Sequence, residues 1–412
     1  MNIPLPQQVL WALDRLEAAG YAAYAVGGCV RDRVLGRVPH EYDLCSAATP
    51  RQVHEVFQGE RLIDTGIQHG TVTLLKDGLP MEITTFRADG TYSDGRHPDQ
   101  VRYASNIEED LKRRDFTCNA MAYSPVRGFV DPFGGEQACR DKRLAAVGHA
   151  RERFEEDALR ILRAMRFASS LGFTIVPDTA AAMRSQSARL DLLSRERVGA
   201  ECNRMMLGDA AAQTLEDHED IFRLAVACSA LVNGEEWAHG LRMLPLLPKE
   251  LPLRWAALMR PDKELAAQCM QHLRQSSAMQ QEVSWLAANR QTPVTDAALP
   301  RQLAAWQPRP MRKLLMLQRA DRLTALPSKT EDAQRLMRLA DQVERLAASL
   351  PLSVAELAVK GKDLADIGCP PGPLMGETLQ WLHGEVLDGR LPNERTALLE
   401  ATRVRVQNTM ET

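Results

Sequence analysis

The sequence predicts an α+β protein, in which a mixed α/β head of about 140 residues precedes an all-helical remainder. Before about residue 145, short β-rich runs alternate with turns, at residues 24–26, 42–45, 69–75 and 81–87. Beyond that point glycine becomes scarce, and Ala, Leu, Arg, Gln and Met recur at helical spacing. Proline-rich breaks then subdivide the helical part, at residues 244–252, 308–310 and 370–373.

The composition is that of a globular protein with two or more domains, since 45% of the 412 residues are hydrophobic. No run of about 18 apolar residues indicates a membrane span, and the N-terminal sequence lacks the regions of a signal peptide. Eight cysteines without Cys-x-x-Cys pairs predict reduced thiols. We therefore expect a cytoplasmic protein that does not bind membranes. The net charge of −3 argues against a general nucleic-acid binder and leaves a local basic face open.

The most informative stretch is a strand–turn–helix–strand unit at the start of the head. The apolar run 24–26 ends at Gly27-Gly28, and a short helix over 30–35 follows. Glycine lets a backbone approach a ligand closely, and the amides at a helix start attract phosphate. Glu41 and Asp43 then share one face of the next strand. A phosphate cradle beside two carboxylates suits metal-dependent nucleotidyl transfer, although each piece alone is commonly a surface turn or a solvated strand edge.

The segment Gly27-Gly28-Cys29-Val30-Arg31-Asp32 and the acids after it resemble the class II tRNA nucleotidyltransferase and bacterial poly(A) polymerase family. The family usually shows Asp-x-Asp where this chain has Glu41-x-Asp43. The resemblance is densest over residues 20–170, thin over 205–350, and returns near the C-terminal end, at residues 357–364, 372–376 and 391–394. It implies a polymerase-β-type nucleotidyltransferase head, with a mixed five-stranded sheet and helices, followed by an all-α neck, body and tail.

On this resemblance we expect four domains, each with its own task. The catalytic head would span residues 1–143, and a helical neck that selects the nucleotide would span 144–206. A helical body would follow over 207–325, and a helical tail that binds tRNA over 326–412.

The resemblance implies Mg²⁺ as the cofactor, with Glu41 and Asp43 as its direct ligands and the catalytic acids. Two-metal transfer needs one ion to activate the primer hydroxyl and one to hold the triphosphate. Glu82, on the strand predicted over 81–87, could support them as a third carboxylate. A glutamate at a sheet edge facing water is the alternative interpretation.

The segment 113–122 matches the second motif of the family. Arg114, with Gly28 and Arg31, would hold the triphosphate, because forked guanidinium hydrogen bonds suit phosphates. Asp115 could accept from the ribose 2′-hydroxyl, and Asn119 would lie nearby. Taken alone, Arg-Arg-Asp is a common charge cluster at a helix start. The turn Asp131-Pro132-Phe133-Gly134-Gly135 matches the third motif and is predicted to be structural.

Asp157 and Arg160 are three residues apart on a predicted helix and would share a face. A carboxylate accepts and a guanidinium donates, a pattern that complements cytosine and adenine and opposes uracil and guanine. The family uses this Glu-Asp-x-x-Arg motif to select the nucleotide, whereas spacing alone favours an ordinary salt bridge. Arg163 and Arg166 continue the helix, and the family pattern implicates both near the nucleotide. The segment 195–198 resembles a further, structural motif.

Two other segments are informative. The polar, glycine-rich loop 88–103 is predicted to be mobile, and it resembles the long loop of CCA-adding and A-adding relatives, with Tyr92, Arg96 and Pro98 in the family pattern. The basic helix 311–322 is either a solvated face or a surface for tRNA phosphates.

The predicted function is template-independent addition or repair of the 3′-terminal CCA of tRNA. CTP and ATP would be the substrates, pyrophosphate the product, and the acceptor arm and 3′ end of tRNA the binding partner; no protein partner is inferred. An A-adding enzyme is one alternative. A bacterial poly(A) polymerase is disfavoured because residues 64–75 lack the Gly-Arg-Arg-Phe-Arg stretch of that branch. A third alternative is a tRNA-binding protein whose head is catalytically inactive. Glu41, in place of the usual aspartate, is the feature that favours it.

Overall fold

The computed structural model describes residues 2–64, 66–88, 102–325 and 330–410. The chain divides into two compact units, Met1–Ala227 and Cys228–Thr412. The predicted loop residues Tyr92, Arg96 and Pro98 lie outside the described residues. The four-domain division stays a prediction at this level, since each unit contains more than one of the expected domains.

A seven-stranded mixed sheet forms the centre of the first unit, in the order β3-β4-β5-β2-β1-β8-β9. β2 and β5 are parallel neighbours, and the other neighbouring pairs are antiparallel. A pair of two-residue strands lies beside it, β6 with β7, and another joins β10 to β11. The strands are β1 (Ala23–Val26), β2 (Tyr42–Ser46), β3 (Arg61–Ile63), β4 (Thr71–Lys76), β5 (Leu79–Thr85), β6 (Arg87–Ala88), β7 (Arg102–Tyr103), β8 (Ala122–Ser124), β9 (Gly128–Val130), β10 (Arg143–Leu144) and β11 (Thr174–Ile175).

The four predicted β-rich runs correspond to β1, β2, β4 and β5, and the mixed sheet is confirmed. The predicted number of strands, five, is wrong. The sheet gains β3, β8 and β9, which have three residues each and are too short to show an alternating pattern in sequence. The expectation of a purely helical neck also needs correction, because β10 pairs in parallel with β11 across residues 143–175.

Helices make up most of the remainder, as predicted. In the first unit they are α1 (Gln7–Ala18), α2 (Gly28–Val34), α3 (Pro50–Val56), α4 (Ile107–Lys112), α5 (Gly135–Arg140), α6 (Ala150–Glu156), α7 (Leu159–Leu171), α8 (Pro177–Gln186), α9 (Arg195–Met206), α10 (Ala211–Asp217) and α11 (Glu219–Val226). In the second unit they are α12 (Gly234–Met243), α13 (Leu251–Ala257), α14 (Lys263–His272), α15 (Ser277–Asn289), α16 (Leu299–Trp306), α17 (Pro308–Ala325), α18 (Thr330–Ser349), α19 (Gly361–Asp366), α20 (Pro373–Leu387) and α21 (Arg395–Met410). Short 3₁₀ helices lie at Ile67–His69, Thr117–Asn119, Ser187–Leu192, Leu244–Leu246 and Val354–Glu356.

One face of the sheet is covered by an apolar cluster that supports the candidate site. Tyr24 and Val26 of β1 and Cys45 of β2 pack there against Ile107 and Leu111 of α4. Their burial removes apolar surface from water, the dominant favourable term in folding. The cluster thereby fixes α4, and the arginines that follow it, against the strands that carry the acidic residues.

The second unit has a core of its own near its C-terminal end. Leu357 and Val359, in a segment that resembles the family tail, pack with Leu364, Leu382 and Leu398. The basic helix predicted over 311–322 lies within α17. Its Lys313 is buried and pairs with Glu250 and Glu282, at 3.0 and 2.6 Å, so this lysine is not available to a phosphate. Among the described helices, none combines the length and apolar character needed to cross a bilayer.

The expectation that all eight cysteines are reduced thiols is contradicted at two positions. Cys228 and Cys269 form a disulfide pair, with Cα atoms 5.7 Å apart, inside the range that a disulfide spans. They are 41 residues apart and show no sequence signature, since only the packing of α14 brings them together. The other six cysteines are free and buried.

The turn at residues 131–135 closes the sheet onto α5 and has the structural role that its sequence predicts. The Asp131 carboxylate accepts from the backbone N–H of Gly135 and Glu136, at 2.7 and 2.9 Å. A Cβ on Gly135 would overlap the carbonyl oxygen of Thr117 and the side chain of Met121. Gly135 therefore lets α5 pack directly on the 3₁₀ helix Thr117–Asn119.

We predict that Gly135→Ala lowers the free energy of unfolding by about 1–3 kcal/mol, the usual cost of overpacking. The matched control is Gly376→Ala, at a helical position where a Cβ would meet nothing within 4 Å. The control should be neutral or stabilising by up to about 1 kcal/mol, because alanine favours helix. Thermal unfolding of the full chain measures both, and equal midpoints would refute the packing argument.

Candidate active site

Three acidic residues lie near one another at the central strands of the sheet. The parallel register of β2 and β5 sets Asp43 beside Glu82, and Glu41 lies one residue before β2. Burial raises the pKa of Asp43, and the charges of Glu82 and Glu41 raise it too, while Arg114 lowers it. Glu82 thus lies beside Asp43, on β5, which is flanked by β4 and β2, and not at an edge of the sheet.

The donor set of this cluster fits a divalent cation, the kind of ion that nucleotidyl transfer generally uses. In the part of the chain that the structure describes, no hydrogen bond or ion pair engages the carboxylates of Glu41, Asp43 and Glu82. The same part contains no group of three or more His, Cys, Asp and Glu side chains placed to hold a metal ion, so an ion here would rest on the carboxylate pair and on substrate oxygens. An open carboxylate pair suits Mg²⁺, which is usually bound by one or two carboxylates, water and substrate phosphates.

The sharp turn between β1 and α2 is made by Gly27. Its φ is +74°, a left-handed conformation that favours glycine. A Cβ on Gly27 would lie 2.8 Å from Nη1 of Arg114, so the missing side chain also makes room for that guanidinium. Gly28, the residue predicted for the cradle, is the first residue of α2 and faces Arg31, 3.7 Å from where its Cβ would be. The structural requirement for glycine therefore falls on Gly27.

Both arginines of the Arg113-Arg114 pair are held by one carboxylate. Asp110 lies one turn earlier, in α4, and is completely buried. Its Oδ1 accepts from Arg113 at 2.7 and 3.0 Å, and its Oδ2 accepts from Arg114 at 3.1 and 3.3 Å. Arg114 is the member of the pair predicted to bind the triphosphate, and Asp110 fixes where both guanidinium groups point.

Asp115 holds head and neck segments together. Its Oδ2 accepts from Nε and Nη2 of Arg163, at 2.9 and 2.5 Å, and its Oδ1 accepts from the N–H of Phe116 and from Asn119, at 2.8 and 3.3 Å. Burial alone would raise the pKa of Asp115, but Arg163 lowers it to about 2. A carboxylate has about four acceptor positions, so a ribose hydroxyl could bind Asp115 only by displacing one of these donors.

The chain of polar contacts continues from Asp115 to α2. Asn119 accepts from Nη1 of Arg31 at 2.8 Å, and Arg31 also donates to Asp32 at 2.7 Å. The guanidinium groups of Arg31 and Arg163 lie 5.5 and 5.4 Å from the ring centre of Phe167. Arg31, Asn119, Asp115 and Arg163 thus form one network, which joins the glycine turn to α7.

Asp157 does not lie on a continuous helix with Arg160, and this part of the prediction is wrong. α6 ends at Glu156, Asp157 is extended, with φ −144° and ψ 106°, and α7 begins at Leu159. The Asp157 carboxylate accepts from the N–H of Leu159 at 2.9 Å and from Arg197 of α9 at 3.0 Å. These two bonds leave two of its acceptor positions for a base.

Arg160 points back toward α6 and the head instead of pairing with Asp157. It donates to Glu156 at 2.5 Å, to the carbonyl of Arg153 at 3.1 Å and to the carbonyl of Arg113 at 3.2 Å. The salt bridge between Asp157 and Arg160, the alternative interpretation of their spacing, does not form. A guanidinium has five N–H donors, so Arg160 keeps two for a ligand.

Arg166, also predicted near the nucleotide, has structural partners. Its Nε lies 2.7 Å from Oε2 of Glu201 in α9, although the angle between them is poor for a hydrogen bond. Its guanidinium also stacks 3.9 Å from the ring centre of Phe167. Burial lowers the pKa of Arg166, and Glu201 opposes that effect. These contacts join α7 to α9.

Sequence reasoning missed three residues of this site. Asp110 could have been found from its i,i+3 and i,i+4 spacing to Arg113 and Arg114. The sequence places Gly27 in the turn but does not show that it is the residue with a positive φ. The ion pair between Arg197 and Asp157 has no local signal, because the two residues are 40 positions apart.

The fold and the site define a class of protein: a polymerase-β-type nucleotidyltransferase with helical domains after its head. Three family models match parts of the chain. They are described as the poly A polymerase head domain (residues 23–145), the probable RNA and SrmB-binding site of polymerase A (172–218) and a putative tRNA nucleotidyltransferase domain 2 (253–402).

Whole-length relatives agree with these models. The CCA-adding enzyme of Limosilactobacillus fermentum is 35% identical over 399 residues, which cover 94% of each chain. That of Geobacillus thermodenitrificans is 35% identical over 98% of each chain. The crystal structure of the Bacillus stearothermophilus CCA-adding enzyme in complex with CTP is 31% identical, covers 98% of each chain and superimposes with a TM-score of 0.76. The chain belongs to the CCA-adding enzyme family of tRNA nucleotidyltransferases, as its sequence predicted.

We predict that Asp115→Asn lowers the free energy of unfolding by about 2 kcal/mol at pH 7 and at pH 5. Because the pKa of Asp115 falls from 3.8 to about 2 on folding, its ion pair stabilises the protein above pH 3.8, and that stability is lost as the pH falls from 3.8 toward 2. Urea unfolding at pH 7, 5 and 3 should therefore show a smaller difference at pH 3. Glu55→Gln, in an exposed ion pair with Arg51, should change little at any pH. A pH-independent effect of Asp115→Asn would contradict this account.

Proposed function

We propose that this protein adds or repairs the 3′-terminal CCA of tRNA from CTP and ATP without a nucleic-acid template. The single observation that carries the proposal is the polar network that joins the glycine turn of the head, beside the acidic pair, to Arg160 and Arg163 of α7. We also propose that Mg²⁺ is the divalent cation and that the protein acts in the cytoplasm. Its relatives are named for CCA addition, which favours this activity over A addition alone or poly(A) synthesis.

In the proposed reaction, Glu41 and Asp43 hold the metal and Glu82 supports Asp43 from the neighbouring strand. When bound, the metal lowers the pKa of the attacking 3′-hydroxyl and offsets charge on the leaving pyrophosphate. Burial and the charges of Glu82 and Glu41 raise the pKa of Asp43, so a cation is favoured at this position. The hydroxyl oxygen attacks the α-phosphorus. The bond between the α-phosphorus and the oxygen that bridges it to the β-phosphate breaks, and pyrophosphate leaves.

The triphosphate would bind against the glycine turn. Gly27 and Gly28 place no side chains at the start of α2, and Arg114 and Arg31 lie close to these two residues. Arg114 is permanently charged, since Asp110 raises its pKa despite burial. Forked guanidinium donors match phosphate oxygens. Asp115 and Asn119 would orient the ribose, with one bond of Asp115 exchanged on binding.

The base would be selected by Asp157 and Arg160. Cytosine and adenine present an amino donor next to a ring-nitrogen acceptor, which matches a free acceptor of Asp157 and a free donor of Arg160. Uracil and guanine present a carbonyl and a ring N–H instead. A buried polar group left unpaired costs about 1–3 kcal/mol, enough to discriminate without a template. Arg163 and Arg197 hold this segment through Asp115 and Asp157.

The test of the proposed activity uses tRNAs that end at the discriminator base, after one C and after two. Each is incubated with CTP, ATP or both, and the products are sized. Growth to CCA on all three primers supports the proposal. Growth only on the primer that ends in CC identifies an A-adding enzyme, and long adenylate tails identify a poly(A) polymerase.

We predict that Asp43→Ala abolishes incorporation of both nucleotides while tRNA binding survives, because the carboxylate serves chemistry and not docking. The control is Asp14→Ala, which changes an exposed acid of α1. Product formation and filter binding of tRNA measure the two properties. Near-normal turnover of Asp43→Ala would remove Asp43 from the site.

We predict that Asp157→Ala lowers selectivity more than rate. The change removes the acceptor for the amino groups of cytosine and adenine, and also the repulsion of the carbonyls of uracil and guanine. The kcat/KM of UTP and GTP relative to CTP and ATP should rise about tenfold, as one unpaired polar group predicts. Arg195→Ala, which removes a neighbouring arginine that donates to the carbonyl of Ala225, should keep the wild-type preference. A uniform loss for all four nucleotides would show that Asp157 does not read the base.

A further inference from the structure

Asp110 carries an unusual number of contacts for a residue outside the expected site. Besides four bonds from Arg113 and Arg114, it accepts from the backbone N–H of Arg87 at 3.1 Å and from the thiol of Cys45 at 3.5 Å. Its side chain has no exposed surface. A buried carboxylate is tolerated only where charged or polar partners compensate it. Asp110 is therefore a fully compensated internal anion.

The partners of Asp110 lie close to the two strands that carry the acidic residues. Cys45 lies two residues after Asp43 on the same face of β2, and Arg87 follows β5, the strand of Glu82. Nη1 of Arg114 also lies close to the turn, 2.8 Å from where a Cβ on Gly27 would be. One carboxylate thus sets the guanidinium of Arg114 in a fixed position relative to both acidic strands.

The charge of Asp110 persists at every physiological pH. Burial would raise its pKa, but Arg114 and Arg113 lower it to about 2. The carboxylate of Asp43, a proposed metal ligand, also attracts Arg114. If Asp110 lost its charge, Arg114 would be attracted toward Asp43 instead of remaining at the glycine turn.

We propose that Asp110 is a positioning residue for the triphosphate: it holds Arg114 at the Gly27 turn and away from the acidic pair. This inference rests on the proposed function, in which Arg114 binds the triphosphate of CTP and ATP. Asp110 touches no substrate, so its effect on binding passes through Arg114. Affinity for a nucleoside triphosphate should therefore depend on Asp110, while affinity for the monophosphate should not.

The experiment compares equilibrium binding of CTP and CMP by the full chain. Asp110→Asn keeps the size of the side chain and removes its charge, and Arg114→Ala removes the guanidinium itself. Both should weaken CTP binding about tenfold or more, the value of one charge-assisted hydrogen bond, and leave CMP within about twofold. The matched control is Glu17→Gln, which changes a similar bidentate pair with Arg127 elsewhere in the head and should bind both ligands normally.

A second variant keeps the test valid if Asp110→Asn does not fold. Asp110→Asn combined with Arg113→Met removes one positive and one negative charge together, so the net charge of the buried site is unchanged. Arg114 still loses its anchor, and the same selective loss of CTP binding is expected. Circular dichroism and thermal unfolding of each variant establish that the chain is folded before binding is measured.

The outcomes separate the inference from the proposed function. If Arg114→Ala weakens CTP binding and neither Asp110 variant does, the role of Asp110 is overturned and the proposed function stands. An equal loss for CTP and CMP in the Asp110 variants also overturns it, because Asp110 would then act on the fold or on the base. If Arg114→Ala leaves CTP binding unchanged, the proposed role of Arg114 fails, and the inference fails with it.

Discussion

The rest of the site depends on two buried aspartates, each of which forms ion pairs with arginines. Asp110 holds Arg113 and Arg114, and Asp115 holds Arg163. Each carboxylate is buried, so neither could remain charged without its partners. Together they place the cations of the head and the first turns of α7 in one rigid arrangement.

This arrangement explains how the neck can influence chemistry in the head. Asp115, Asn119 and Arg31 form one network with Arg163, and Arg160 of the same helix donates to the carbonyl of Arg113. A shift of α7 would therefore be transmitted through these hydrogen bonds to the glycine turn. In the proposed reaction, the fit of the base and the position of the triphosphate are coupled through these bonds and not through the nucleotide alone.

Much of the head could be predicted from its sequence because its signals are local. The strand, the glycine turn, the short helix and the acids at the start of β2 follow each other within about 25 residues. The break at Asp157 could not be predicted, since helical residues continue on both sides and one partner of Asp157, Arg197, is 40 positions away. Likewise, the sequence does not show that Gly27 must be glycine to make room for Arg114. Nor does it show that the packing of α14 brings Cys228 and Cys269 together.

A double-mutant cycle tests the central claim most directly, namely that Asp115 and Arg163 act as one unit between neck and head. The variants are Asp115→Asn, Arg163→Met and their combination, and the measurement is kcat/KM for CTP on a tRNA that lacks CCA. If the claim holds, the double variant loses no more than the more damaging single variant, because either change breaks the same link. Losses that simply multiply would show two independent contributions and contradict the account.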